Sequence, residues 1–268
     1  FEVDFAPVDE KGFVDVEALA DLIRPDTTLV SIMAVNNEIG SVQPIEAISE
    51  LLADKPTISF HVDAVQALAK IPTEKYLTER VDFATFSSHK FHGVRGVGFV
   101  YIKSGKKITP LLTGGGQERD YRSTTENVAG IAATAKALRL SMEKLDFFTS
   151  KTGQMKAVIR QALLDYPDIF VFSDEEDFAP HILTFGIKGV RGEVIVHAFE
   201  DYDIFISTTS ACSSKAGKPA GTLIAMGVDK DKAQSAVRLS LDLENDMSQV
   251  EQFLTKLKLI YNQTRKVR

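Results

Sequence analysis

Six residues of this sequence stand at spacings that suit acid–base and covalent chemistry: Asn37, Asp63, Gln66, Ser87, His89 and Lys90. Three polar clusters carry five of them, each closing an apolar run, and Gln66 follows Asp63 by three residues. Asn36-Asn37-Glu38 follows TLVSIMAV, Asp63 follows TISFHV, and Ser87-Ser88-His89-Lys90 follows VDFATF. A carboxylate such as Asp63 can pair with a pyridinium nitrogen and keep it protonated, which makes the ring a better electron sink. An amine such as Lys90 can form a Schiff base with an aldehyde. Ser87, Ser88 and His89 offer hydroxyl, backbone and imidazole donors suited to a phosphate. Asn37 and Gln66 can hydrogen-bond to ring substituents.

Singly, these residues have plainer readings. An aspartate after a strand is usually a turn or cap residue, and a lysine there is usually a solvated surface group. The joint spacing of all six is harder to obtain that way. His61 lies inside an apolar run and reads as a satisfied core histidine, and His92 reads as structural.

Elements that hold these residues follow from periodicity. Apolar runs predict strands over Thr28–Val35, Thr57–Val62, Val81–Phe86 and Gly98–Ile102, with a short helix over Ile45–Ala53. Strands separated by helical segments imply an α/β layer architecture with a largely parallel sheet. Ligands of such sheets sit at the carboxyl ends of the strands, where the polar clusters fall. Gly114-Gly115-Gly116 ends this pattern. An Ala-rich helix over Glu126–Lys144 is long enough to join two domains. Beyond it the pattern predicts a helix over Lys151–Asp165, a strand over Ile169–Phe172 and an acidic turn over Asp174–Asp177. A strand over His181–Gly186, a helix over Gly192–Asp201, a strand over Ile204–Ser207 and a C-terminal helix from about Ser248 complete it.

Bulk composition excludes several classes. With 44% hydrophobic and 25% charged residues the chain is ordinary globular protein. A net charge of -6 is unlike the basic footprint of a nucleic-acid binder. No apolar run is long enough to span a bilayer, and the first residues lack the pattern of a signal peptide. Cys212 is the one cysteine, so an intrachain disulfide and a Cys-rich zinc site are excluded, and a reduced cytoplasmic setting is expected. Cys212 stands among Ser, Thr, Ala, Gly and Lys, a surface-loop composition rather than a core strand. The plain alternative is a small buried cysteine.

The stretches VSIMAVNNEIGSVQPI, HVDAVQ, FSSHKFHG and GGGQERDYRSTTEN, in that order, resemble the NifS/IscS cysteine desulfurases. These belong to the class V aminotransferase group of fold-type I pyridoxal-phosphate (PLP) enzymes. The resemblance implies an α/β fold with a mostly parallel sheet in a large domain and a smaller α+β domain. It assigns residues 1–145 to the C-terminal part of the PLP-binding large domain and 146–268 to the small domain with the cysteine loop. It also places Phe1 at an interior point of the family's sequence. The threonine of the family's phosphate cup and the histidine that stacks on the ring have no counterpart motif here, so a preceding segment is expected.

Roles carry over residue by residue from the resemblance. Lys90, in the SHK motif, holds PLP. Asp63 meets the pyridine nitrogen, Gln66 and Asn37 lie at the ring hydroxyl, and Ser87 and His89 bind the phosphate. Thr125 reaches the phosphate of a partner subunit, which implies a homodimer. ISTTSACSSKAGKPAGTL resembles the family's mobile cysteine loop, with Cys212 as nucleophile and Lys215 near enough in sequence to lower its pKa. AVRLSLD resembles the motif around the arginine that grips the substrate carboxylate, here Arg238. The implied activity converts L-cysteine to L-alanine and leaves a persulfide on Cys212. That sulfur then passes to an acceptor protein of iron–sulfur cluster assembly or tRNA thiolation, with no direct nucleic-acid or membrane binding. Competing assignments are a selenocysteine lyase, a cysteine sulfinate desulfinase, an aminotransferase, or a non-catalytic platform that docks sulfur-acceptor proteins. Three positions depart from the family pattern: Val94 follows His92-Gly93 in place of proline, and Thr124 and Asp242 each stand where glycine is usual.

Overall fold

A computed structural model describes residues 1–174, 176–209 and 221–266. The chain opens with helix α1 (Val16–Leu22), then β1 (Leu29–Met33), α2 (Ile45–Leu51), β2 (Ser59–Asp63), β3 (Phe83–Ser87), β4 (Gly98–Ile102) and α3 (Val128–Met142). It continues through α4 (Leu145–Leu164), β5 (Ile169–Val171), β6 (Ile182–Ile187), α5 (Gly192–Glu200) and β7 (Ser207–Thr208). It ends with α6 (Gly221–Ala225), α7 (Lys230–Gln234), β8 (Ala236–Ser240) and α8 (Met247–Lys266). These elements form two compact units. A central unit comprises Pro25–Ala34 and Ile45–Leu145, and a terminal unit comprises Phe1–Arg24, Val35–Pro44 and Asp146–Arg268. Phe1–Arg24 and Val35–Pro44, assigned from sequence to the 1–145 domain, therefore group with the residues after Leu145. The reason is packing: buried Ile39 sits in one apolar cluster with Phe178, Leu223 and Met226.

The central unit is built on a sheet of order β1-β2-β3-β4. Strands β1, β2 and β3 are parallel, and β4 runs antiparallel to β3. The link from Ser87 to Gly98 is too short for the crossover that a parallel neighbour needs. Side chains alternate across the sheet. Val30, Ile32, Phe60, Val62, Ala84 and Phe86 are buried on one face. By the same alternation Ser31, His61, Asp63, Thr85 and Ser87 share the other. At the amino end of β3, the buried carboxylate of Asp82 accepts hydrogen bonds from the Phe60 amide at 2.9 Å and from Arg80 at 2.8 Å. Lys106 adds an ion pair at 3.2 Å. Burial alone would raise the Asp82 carboxyl, but the Phe60 amide, Arg80 and Lys106 together hold it below its ordinary range.

The terminal unit carries an antiparallel sheet of order β5-β6-β8-β7. Every residue of β6 is buried. Leu183, Phe185 and Val237 pack with Ile195 and Phe199 of α5 and Phe253 and Leu257 of α8. Strand β7 begins where the sequence had a strand ending. Ile204 is not available to the sheet, because its amide closes α5 on the Phe199 carbonyl at 3.1 Å and Asp203 turns the chain through a left-handed conformation. Helix α4 also begins at Leu145, earlier than the expected Lys151, and the helix before it stops at Met142. Among the described residues no helix is long and apolar enough to cross a membrane.

Candidate active site

Two groups of predicted residues form, one in each unit. In the central unit the register sets Asp63 directly beside Thr85, and Ser87 follows two residues along β3. Asp63 is the last residue of β2 rather than the first beyond it. Its Oδ1 accepts the Val65 amide at 3.0 Å, a local turn that leaves the exposed carboxylate further acceptor capacity. Gln66 lies half-buried in the turn that follows. Ser87 ends β3, half-buried, and the next residues wind into a 3-10 helix, Ser88–Phe91. His89 is exposed on that turn and Lys90 is half-buried. His92 closes it in a left-handed conformation, its amide donating to the Ser88 carbonyl.

Ser88, considered from sequence as a phosphate donor beside Ser87, has a different place. It is fully buried, and its hydroxyl pairs with Thr134 Oγ1 at 2.9 Å. This pairing was not legible beforehand, because Thr134 lies 46 residues away on α3.

His61 is satisfied on both ring nitrogens. Nδ1 is 2.7 Å from Ser31 Oγ and Nε2 is 3.1 Å from Thr85 Oγ1. Burial lowers its pKa, against the opposing charge of Asp63. Its neutral ring thus stitches β1, β2 and β3 on the face that bears Asp63, as a structural residue.

Thr125 is exposed in the segment that leads into α3. The residue before it, Thr124, has φ of 101°, a left-handed conformation that is an outlier for a β-branched side chain. Arg122 brackets it, with Nη1 donating to the Thr124 carbonyl at 2.8 Å and to its hydroxyl at 3.0 Å. The Thr124 amide donates to Gln117 Oε1 at 3.2 Å. The backbone here keeps a glycine-like shape although threonine occupies it. Asp242 is not among the residues with positive φ, so a side chain there carries no such strain.

In the terminal unit Arg238 and Asn37 meet. Arg238 Nη1 donates to the Asn37 carbonyl at 2.7 Å, and its Nε is enclosed without a hydrogen-bond partner among the described residues. Arg238 sits on β8 between Thr184 of β6 and Ser207 of β7. The next carbonyls of the motif are held in turn. Thr184 Oγ1 donates to Glu38 O at 2.6 Å, Ser173 Oγ to Ile39 O at 2.5 Å, and the Ala179 amide to Gly40 O at 2.7 Å. The side chains beside Asn37 act locally as well. Asn36 Oδ1 accepts the amides of Glu38 at 2.8 Å and Ile39 at 3.0 Å, and its Nδ2 donates to Thr222 Oγ1 at 3.2 Å. Glu38 Oε2 accepts the Thr222 amide at 3.2 Å. Sequence reading singled out Asn37 and passed over its two neighbours, whose partner lies far along the chain. Cys212 and Lys215 lie outside the described residues.

Chemically, the central unit offers a carboxylate, a primary amine, a hydroxyl and an imidazole around the ends of adjacent parallel strands. That donor set suits a cationic aromatic ring carrying an aldehyde and a phosphate. No group of three or more His, Cys, Asp or Glu among the described residues could hold a metal ion.

Comparison with known proteins gives a consistent result. The sequence matches the family described as Aminotransferase class-V over residues 1–253. A NifS/IcsS protein homolog of Lactobacillus delbrueckii subsp. bulgaricus is 50% identical over 268 residues, which is all of this chain and 70% of that protein. The Cysteine desulfurase IscS of Clostridium botulinum is 38% identical over 270 residues, covering 100% of this chain and 68% of its own length. Among solved structures, a NIFS-like protein superposes with a TM-score of 0.89 at 37% identity, over 98% of this chain and 68% of that one.

Proposed function

The chain belongs to the aminotransferase class-V family, among its cysteine desulfurases, and we propose that it converts L-cysteine to L-alanine with pyridoxal 5'-phosphate and passes the sulfur through Cys212. The observation that supports this most is the pairing of the β2 and β3 ends. It sets Asp63 beside Thr85 and leads, past Ser87, straight into the turn that carries Lys90. When bound, pyridoxal 5'-phosphate supplies an aldehyde carbon that an amine can hold and a protonated ring that takes up an electron pair.

In this reading the residues divide the work. Lys90 would hold the group at its aldehyde carbon and would move the proton at the substrate's α carbon. Asp63 keeps the proton on the ring nitrogen. Gln66 and Asn37 bond the ring hydroxyl, and Ser87 and His89 hold the phosphate. Thr125 reaches the phosphate of a partner subunit in a homodimer. Arg238 takes the substrate carboxylate with the donors it does not spend on Asn37, since a guanidinium has five. The thiolate of Cys212 attacks the substrate sulfur. An S–S bond forms as the C–S bond breaks, the electron pair stays on the carbon side and is protonated, and alanine and a persulfide result. Persulfide sulfur then goes to an acceptor protein, an iron–sulfur scaffold or a tRNA-thiolating enzyme, in a cytoplasmic setting.

The test is sulfide and alanine release from L-cysteine, with the visible absorbance of the bound cofactor followed alongside. Cys212→Ala is expected to abolish sulfide release and keep the visible band, and Lys90→Ala to lose both. Sulfide release at full rate by Cys212→Ala, or an undiminished band in Lys90→Ala, would overturn the assignment.

A further inference from the structure

The turn that carries Lys90 has little internal support. It is a 3-10 helix of 4 residues, a form whose own hydrogen bonds are poorly aligned. An amine that must meet one atom of a bound group needs a fixed pedestal, because misplacement by an ångström is enough to slow a reaction severely. The support comes from α3.

Ser88 is the hub. Its amide donates to the Val97 carbonyl at 3.0 Å, and its own carbonyl accepts the Gly93 amide at 3.0 Å. Its hydroxyl, fully buried, meets Thr134 Oγ1 at 2.9 Å. Thr134 donates its one hydroxyl proton to the Gly130 carbonyl at 2.8 Å. Ser88 must therefore be the donor in the pair, so its proton is committed to α3 and not to a ligand. Gly93 keeps the space open, since a Cβ there would lie 1.9 Å from Ser88 Oγ. The far end of the turn is held as well: Ser141 Oγ donates to the Phe91 carbonyl at 3.1 Å. Thr134 and Ser141 lie two turns apart on one face of α3. They grip the first and the last residue of the turn, with Lys90 between.

We propose that Thr134 and Ser141 are positioning residues for Lys90, with α3 setting the place of its amine through Ser88 and Phe91. The proposal rests on Lys90 being the cofactor lysine. It predicts that loosening α3 from the turn slows the capture of pyridoxal 5'-phosphate by Lys90 while other lysines react as before.

The experiment strips the protein of cofactor, adds pyridoxal 5'-phosphate, quenches with borohydride at timed intervals and counts the label on each lysine by peptide mass spectrometry. Thr134→Val keeps the side-chain shape and removes the acceptor of Ser88. Ser141→Ala releases a partly buried contact and serves if Thr134→Val does not fold. Each is expected to slow labelling of Lys90 by about tenfold, to move the pH at which the visible band titrates, and to lower kcat with little change in KM. Thr134→Ser, which keeps the hydroxyl, should restore all three. If either variant lowers the unfolding midpoint yet labels Lys90 at the unsubstituted rate with the same titration, α3 is only structural and the proposal fails alone. If Lys90 takes no label in the unsubstituted protein, the assignment of Lys90 fails, and the proposal with it.

Discussion

Thr124 shows how a single residue can depart from a motif while the backbone takes a shape that suits glycine. A positive φ of 101° would suit glycine, and threonine holds it with the help of Arg122 and Gln117. Strain of this kind costs about 1–3 kcal/mol, against roughly 0.5–1 kcal/mol for the added freedom of a glycine in the unfolded chain. Thr124→Gly is therefore expected to raise stability by about 1 kcal/mol, read as a higher urea midpoint. A midpoint unchanged or lowered would mean that the conformation is not strained. The substitution itself was legible in the sequence as a missing glycine. Its consequence was not, because φ is set by residues on both sides of it. The same limit applies to Ser88, which reads like Ser87 by type and differs only in pointing to the α3 side.

At the scale of elements, the parallel part of the central sheet was legible because buried strands appear as apolar runs closed by polar residues. The reversal of β4 could have been inferred from the short stretch between Lys90 and Gly98, but the runs alone do not carry direction. Strand β8 escaped notice because AVRLS places an arginine in mid-strand, and its neighbours β6 and β7 lie far off in sequence. The clamp at the amino end of β3 was equally invisible, since Arg80 and Lys106 converge on Asp82 only in the fold. Breaking a buried pair typically costs about 3–5 kcal/mol, and Asp82→Asn is expected to lose about that much at pH 7. The sign with pH follows from the lowered pKa of Asp82. Its contribution is complete above the unfolded carboxylate pKa of about 3.9 and is lost as pH falls through the folded value. The gap between variant and parent in urea unfolding should thus close on acidification. A gap that stays constant down to low pH would dismiss the clamp.

For the molecule as a whole, the separate apolar clusters matter more than the domain boundary read from sequence. Phe253 stacks on Phe199 with ring centroids 4.9 Å apart and meets Phe185 edge-on at 6.2 Å. Phe253→Ala should destabilise the terminal unit by about 3–5 kcal/mol, with hydrogen exchange rising first at the amides of β6 and β8. A loss under about 1 kcal/mol would show that α8 is dispensable to this core. The candidate site was legible as motifs and its supports were not. Motifs keep the groups that touch ligand close together in sequence, while the side chains that hold those groups come from wherever the fold delivers them.

The excursion of Val35–Pro44 from one unit into the other bears on how the gene can be cut. Translation in two pieces, split after residue 145, would leave the second product with the hydroxyls of Thr184 and Ser173 and the guanidinium of Arg238 facing no carbonyls. A decapeptide copying residues 35–44 would be the natural complement to such a fragment. Recombination between homologous genes at that junction would likewise pair a loop from one parent with a cradle from the other.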